Sequence, residues 1–123
     1  IIPACNEVEG IKKILTLVPP FIDEVVVVDT SSDETAKISH QMGAKVVMEH
    51  RKGYGRAYKT GFAHATGEIF ITMDADATYP IAEKELLPIV DSLQSLLSRL
   101  YVVRLLLRMN FKSKLDPLRL EMV

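Results

Sequence analysis

At 123 residues the chain is long enough for one domain with a buried core and too short for two well-formed ones. Its 48% hydrophobic and 25% charged residues are ordinary for a globular protein, and a net charge of −1 gives no basis for binding nucleic acid. The charge is unevenly spread: residues 1–98 carry 9 Lys/Arg against 14 Asp/Glu, whereas residues 99–123 carry 6 against 2.

The chain opens at Ile1 inside an apolar segment that reads as the second half of a strand, Ile1 to Ala4, and this predicts a fragment. Cys5 is the only cysteine, so an internal disulfide is excluded; it fits a reducing compartment and is expected to be a small buried side chain. From Glu7 to Val18, the residues Val8, Ile11, Ile14, Leu15 and Val18 recur at helical spacing, and Pro19 and Pro20 end the helix. Glu24 to Asp29 holds four consecutive valines, the pattern of a parallel strand buried on both faces.

Ser32 or Asp33 is placed to cap a second helix reaching Met42, which Gly43 closes. Lys45 to Met48 reads as a third strand. Tyr54 to Ala65 reads as a helix whose small residues Ala57, Gly61 and Ala65 allow close approach to a sheet. Gly67 stops it before a fourth strand, Glu68 to Met73.

Strands alternating with helices predict an α/β fold of three layers, α/β/α, around a mostly parallel sheet. Residues 1–97 are expected to form a Rossmann-like half of such a fold, incomplete on its C-terminal side, and residues 98–123 a basic and apolar tail of different composition. Leu96 to Met109 is interrupted by Arg99, Arg104 and Arg108 and does not read as a membrane span, although arginines at that spacing suit a membrane surface. The expected location is the cytoplasm or the cytoplasmic face of a membrane.

Ligands of such sheets collect beyond the carboxyl ends of the strands. Pro3 to Glu7, Asp29 to Ser32, His50 to Gly53 and Asp74 to Asp76 all fall at such ends. Asp74 and Asp76, two apart on an extended backbone, would share one face, and the two anions repel unless a hard cation lies between them. Mg²⁺ or Mn²⁺ fits, because each keeps coordination positions open for phosphate oxygens; the competing reading is a solvated Asp-x-Asp turn. Lys52 and Arg56 flank Gly53 and Gly55 where a glycine-rich loop opens a helix, a placement that suits phosphate or simply a solvated basic turn.

The order and spacing of several short motifs resemble family-2 glycosyltransferases with the GT-A fold, in particular the dolichyl-phosphate mannose or glucose synthases. These motifs are Ile2-Pro3-Ala4-Cys5-Asn6-Glu7, Val26-Val27-Val28-Asp29 with Ser32-Asp33-Glu34-Thr35, Lys52-Gly53-Tyr54-Gly55-Arg56-Ala57 with Gly61, Ala65-Thr66-Gly67-Glu68, and Asp74-Ala75-Asp76-Ala77-Thr78-Tyr79-Pro80. The resemblance implies an inverting transferase that moves a sugar from a nucleotide-diphosphate sugar donor to a polyisoprenyl phosphate acceptor. It implies that Pro3, Ala4, Glu7 and Asp29 hold base and ribose. Asp74 and Asp76 would be the metal ligands and the catalytic pair, stabilising the leaving diphosphate.

The sequence departs from the family pattern at Cys5, where Tyr is common, at Thr30, where a second Asp often follows, and at Thr78, where mannose-type relatives often carry Gln. Nothing between Ser98 and Val123 resembles the family's acceptor region, so a truncated or frame-disrupted product is expected to turn over poorly. Two alternatives remain at this stage. One is a non-catalytic fragment that binds a nucleoside diphosphate; the other is a sugar-phosphate nucleotidyltransferase, although that class opens with a glycine-rich basic loop after the first strand and this chain does not.

Overall fold

A computed structural model describes residues 1–78, 84 and 86–97. Three strands alternate with three helices: β1 (Ile2–Ala4), α1 (Val8–Leu17), β2 (Val26–Asp29), α2 (Thr35–Gln41), β3 (Lys45–Met48) and α3 (Tyr54–His64). The strands form a parallel sheet in the order β1-β2-β3, with Ile2 opposite Val27 and Val27 opposite Val46.

The valine run explains why β2 is central. Val26 and Val28 pack with Ala57 of α3, with Ile1 and Val47 alongside, while Val27 packs on the other face with Ile2, Ala4, Ile11 and Ile14. Alternate side chains of one strand therefore serve opposite helical layers, which is the α/β/α arrangement expected from sequence. Gly61 permits the closeness of α3 to the sheet, since a Cβ there would overlap the Ile1 side chain and stand 3.2 Å from Val28 Cγ2. Gly43 ends the second helical segment at φ 90°, a conformation that favours glycine.

The fourth predicted strand is not a regular strand. Residues 69–73 run beside β1 through two backbone bonds only, Ile1 N–H to the Ile71 carbonyl at 2.7 Å and Met73 N–H to the Ile1 carbonyl at 3.2 Å. These straddle Ile1 as in a parallel ladder. Successive residues of a strand bond to opposite sides; the Ala4 carbonyl accepts from Thr30 N–H on the β2 side, so Pro3 faces the other way. Pro3 has no N–H to give, and the ladder stops where its donor would be needed.

The chain divides into two compact units, residues 1–87 and 88–123. Of the second, residues 88–97 are described and are helical, with the Ser92 hydroxyl donating to the Pro88 carbonyl at 2.8 Å. The tail expected at 98–123 lies outside the described residues. No helix among the described residues is long and apolar enough to cross a membrane.

Candidate functional site

The loops that follow β1 and β2 are sewn together. Asn6 adopts φ 57°, a left-handed conformation that Asn tolerates better than most residues. There its N–H donates to the Ser31 hydroxyl oxygen at 2.7 Å and its Oδ1 accepts from Ser32 N–H at 2.9 Å. Glu7 N–H donates to Thr35 Oγ1 at 3.1 Å, and the Thr35 hydroxyl donates to Asp33 Oδ1 at 2.6 Å. Asp33 also accepts from the N–H of Thr35, the first residue of α2, whose N-cap is Glu34, and these bonds hold the Asp33 carboxyl below the ordinary value.

Beneath this stitching lies Asp29, at 0% exposure, accepting from both the hydroxyl and the N–H of Ser31. Pro3 and Ala4 are buried as well, within β1. Of the residues expected to hold base and ribose, Glu7 is the one whose side chain is open: it is half-buried, and its carboxylate has no partner among the described residues. Cys5, expected to be buried, is exposed instead, because the chain bends out of the sheet directly after Ala4.

Asp74 and Asp76 are presented by a turn rather than by an extended strand end. The residue between them is the anchor. Ala75 is buried in the core with Ile2, Ala4, Ile11 and Ile14, and its neighbours Met73 and Ala77 pack against the same cluster. Asp74 is half-buried and without a hydrogen bond or ion pair among the described residues. Asp76 is exposed; its Oδ1 accepts from Thr78 N–H at 2.9 Å, and the Thr78 hydroxyl and N–H hold its carboxyl below the ordinary value.

This donor set fits a hard divalent cation. The described residues contain no group of three or more His, Cys, Asp or Glu able to hold a metal, so a cation at this turn would have Asp74 and Asp76 as its carboxylates and would take its other positions from water or phosphate. That is the manner in which Mg²⁺ is commonly held at phosphate-transfer sites.

Lys52 and Arg56 stand exposed where β3 gives way to α3. Gly53 begins that helix at φ 134°, its carbonyl accepting from the N–H groups of Arg56 and Ala57, both at 3.1 Å. Gly55 is required neither by its φ nor by packing, since a Cβ there would meet nothing within 4 Å. The loop is braced by a residue that the sequence reading passed over. Glu49, 5% exposed, accepts from Arg51 N–H, Nε and a terminal guanidinium nitrogen, and from the Thr60 hydroxyl at 2.7 Å on α3. The Arg51 and Thr60 donors hold its carboxyl far below the usual carboxylate range. Glu49 N–H also donates to the Asp29 carbonyl at 3.0 Å, which carries the bracing back to β2.

The segments that follow β1, β2 and β3 are thus tied to one another, and the match to one known family covers them and the Asp74-Ala75-Asp76 turn. Residues 1–104 match the family described as Glycosyl transferase family 2. The chain belongs to that family. An uncharacterized glycosyltransferase of Mycobacterium tuberculosis is 37% identical over 78 residues, covering 63% of this chain and 36% of its own length. A dolichyl-phosphate hexose transferase of Haloferax volcanii is 36% identical over 79 residues, covering 62% of this chain and 35% of its own.

In three dimensions the chain is similar to glucosyl-3-phosphoglycerate synthase of Mycobacterium tuberculosis, crystallised with Mn²⁺, UDP and phosphoglyceric acid. The TM-score is 0.55 at 29% identity, over 60% of this chain and 31% of that one. The fold is accordingly of the GT-A type. The chain spans about a third of the length of these relatives.

Proposed function

We propose that this chain carries the donor side of a glycosyltransferase: it binds a nucleotide-diphosphate sugar together with Mg²⁺ or Mn²⁺. The observation that carries the reading is the turn Asp74-Ala75-Asp76, whose centre is buried with Ile2 and Ala4 of β1 while Asp74 is half-buried and Asp76 exposed. The ligands of the crystallised glucosyl-3-phosphoglycerate synthase, Mn²⁺ and UDP, support it.

In this reading Glu7 accepts hydrogen bonds from ribose hydroxyls, a task suited to an ionised acid because it is an acceptor for both donors of a diol. Asp29, in its buried position, acts through Ser31 and Asn6 by holding the loop that frames the nucleoside. Pro3 and Ala4 supply the buried base of that frame. Lys52 and Arg56, with the open approach at Gly55, receive the diphosphate. Asp74 and Asp76 would hold the divalent ion, which supplies Lewis-acid stabilisation of the charge on the leaving diphosphate.

The acceptor in this proposal is a polyisoprenyl phosphate, supported by the named activity of the Haloferax volcanii relative, and transfer proceeds with inversion. The phosphate is already anionic and attacks with little base assistance. A second reading, nucleotide binding without transfer by this length of chain, is favoured by one fact: the match covers about a third of each relative.

Calorimetric titration with UDP and GDP, with and without Mn²⁺, tests the proposal. Binding should strengthen with Mn²⁺ and lose that increment in the Asp74→Ala, Asp76→Ala double variant; equal signals from the two proteins refute the metal site. Sugar transfer to a polyisoprenyl phosphate by the same chain would remove the second reading.

A further inference from the structure

Helix α1 touches the metal turn through a residue that has no side chain. A Cβ built on Gly10, in the first turn of α1, would overlap the Ala75 carbonyl oxygen and stand 3.1 Å from Asp76 Cα. The neighbours here are backbone atoms, which cannot rotate aside as a side-chain end can. The hydrogen that occupies the Cβ position of Gly10 therefore points at the Ala75 carbonyl, the arrangement of a Cα–H···O contact.

Neither of the usual reasons for a helical glycine operates. Gly10 has an ordinary helical φ and lies inside α1, not at its end. Glycine is a poor helix former, so its presence in the first turn costs α1 stability that an alanine would restore. What Gly10 permits is closeness. Ala75 is buried with Ile11 and Ile14 of the same helix, and the turn reaches that depth only because position 10 lets its backbone pass.

We propose that Gly10 is a positioning residue for the metal site: the missing side chain sets how near the Asp74-Ala75-Asp76 turn lies to α1, and so sets the aim of both carboxylates. This rests on the metal-binding reading above. Any side chain at position 10 displaces the Ala75 carbonyl, and because Asp74 and Asp76 are the immediate chain neighbours of Ala75, both carboxylates shift with it. Cation coordination is sensitive to displacements well under an ångström. Glu7, the N-cap residue of α1, is tied from outside that helix by its N–H bond to Thr35 of α2 and keeps its place. The consequence is selective: the metal-dependent part of nucleotide binding is lost and the metal-independent part remains.

The test is calorimetry of the wild-type chain and Gly10→Ala with uridine alone, with UDP, and with UDP plus Mn²⁺. The strengthening of UDP binding by Mn²⁺ is expected to fall at least tenfold in the variant, while uridine affinity changes less than twofold. An unchanged Mn²⁺ increment in Gly10→Ala, or an equal loss of uridine binding, overturns the proposal. A wild-type chain without any Mn²⁺ increment refutes instead the metal reading on which it rests, so the two failures are distinct.

Should Gly10→Ala not fold, the wild-type chain still decides. With UDP present, Mn²⁺ added in place of Mg²⁺ should broaden the Gly10 amide resonance together with those of Ala75 and Ala77, and the Asp74→Ala, Asp76→Ala variant should abolish the effect on all three. A Gly10 signal that survives while the turn is broadened overturns the inference.

Discussion

The backbone N–H of Asn6 donates to the hydroxyl oxygen of Ser31 at 2.7 Å, and the same hydroxyl donates to the buried carboxylate of Asp29. One oxygen thus couples the loop after β1 to the loop after β2, over a carboxyl group that has no access to water.

Ser31→Ala removes the hydroxyl and leaves Asp29 with the Ser31 N–H as its remaining bond at 3.2 Å. Leaving a buried carboxyl group short of a hydrogen-bond donor is costly, so the variant should lose about 1–3 kcal/mol of stability. Urea denaturation is the measurement. A midpoint within error of wild type would mean that the stitch between the two loops contributes nothing. Nucleoside affinity should fall with it, because the frame around Glu7 loosens.

Gly53 starts α3 at φ 134°, outside the regions open to residues with a Cβ. Gly53→Ala should therefore cost about 1–3 kcal/mol through strain alone, since no neighbour but Arg56 Cβ, at 3.8 Å, lies near the added atom. Gly55→Ala, in open space and at ordinary φ, should instead be neutral or slightly stabilising. Thermal unfolding of the two variants side by side checks the contrast, and a similar loss in both would refute it.

Acid should weaken the fold from the Glu49 side. Its carboxyl is held far below the usual carboxylate range by the Arg51 and Thr60 donors, and Asp33 is lowered by Thr35. A depressed folded-state pKa means that the charged form is favoured in the native protein. That stability is fully present above the unfolded value and is lost as pH falls below it toward the folded one. Urea midpoints should decline on acidification below about pH 4.5, where unfolded glutamates begin to take up protons. Glu49→Gln keeps the shape and removes the titration, so its midpoint should be lower at pH 7 but fall less steeply; a slope equal to that of wild type would refute the assignment.

Much of the fold could be read directly from the chain because its signals are local. The valines of β2, the 3.6-residue spacing of Val8, Ile11 and Ile14, and the prolines after α1 each act through immediate neighbours, and each element formed within a few residues of its expected place. The family resemblance was legible for the same reason: its motifs are short segments in a fixed order, and the match to residues 1–104 agrees with it. The fourth strand failed at a distance. Residues 68–73 carry the strand pattern, but whether they pair depends on Pro3, some seventy positions earlier, which withholds a donor only when it comes to lie beside them.

The site divides in the same way. Sequence alone determined which acids follow the apolar runs: Asp29 ends β2, Glu7 follows β1 within three residues, and Asp74 and Asp76 lie in the turn after residues 69–73. Only the tertiary structure decided which of them meet solvent. Asp29 lies under Ser31, Asp74 and Asp76 flank an alanine that anchors in the core, and Gly10 and Glu49 emerge as supports whose neighbours are remote in the chain. Periodicity speaks to which way a residue faces along its own element. Burial of a charge and the closeness of two backbones are set by a second element, and that information exists only once the chain has folded.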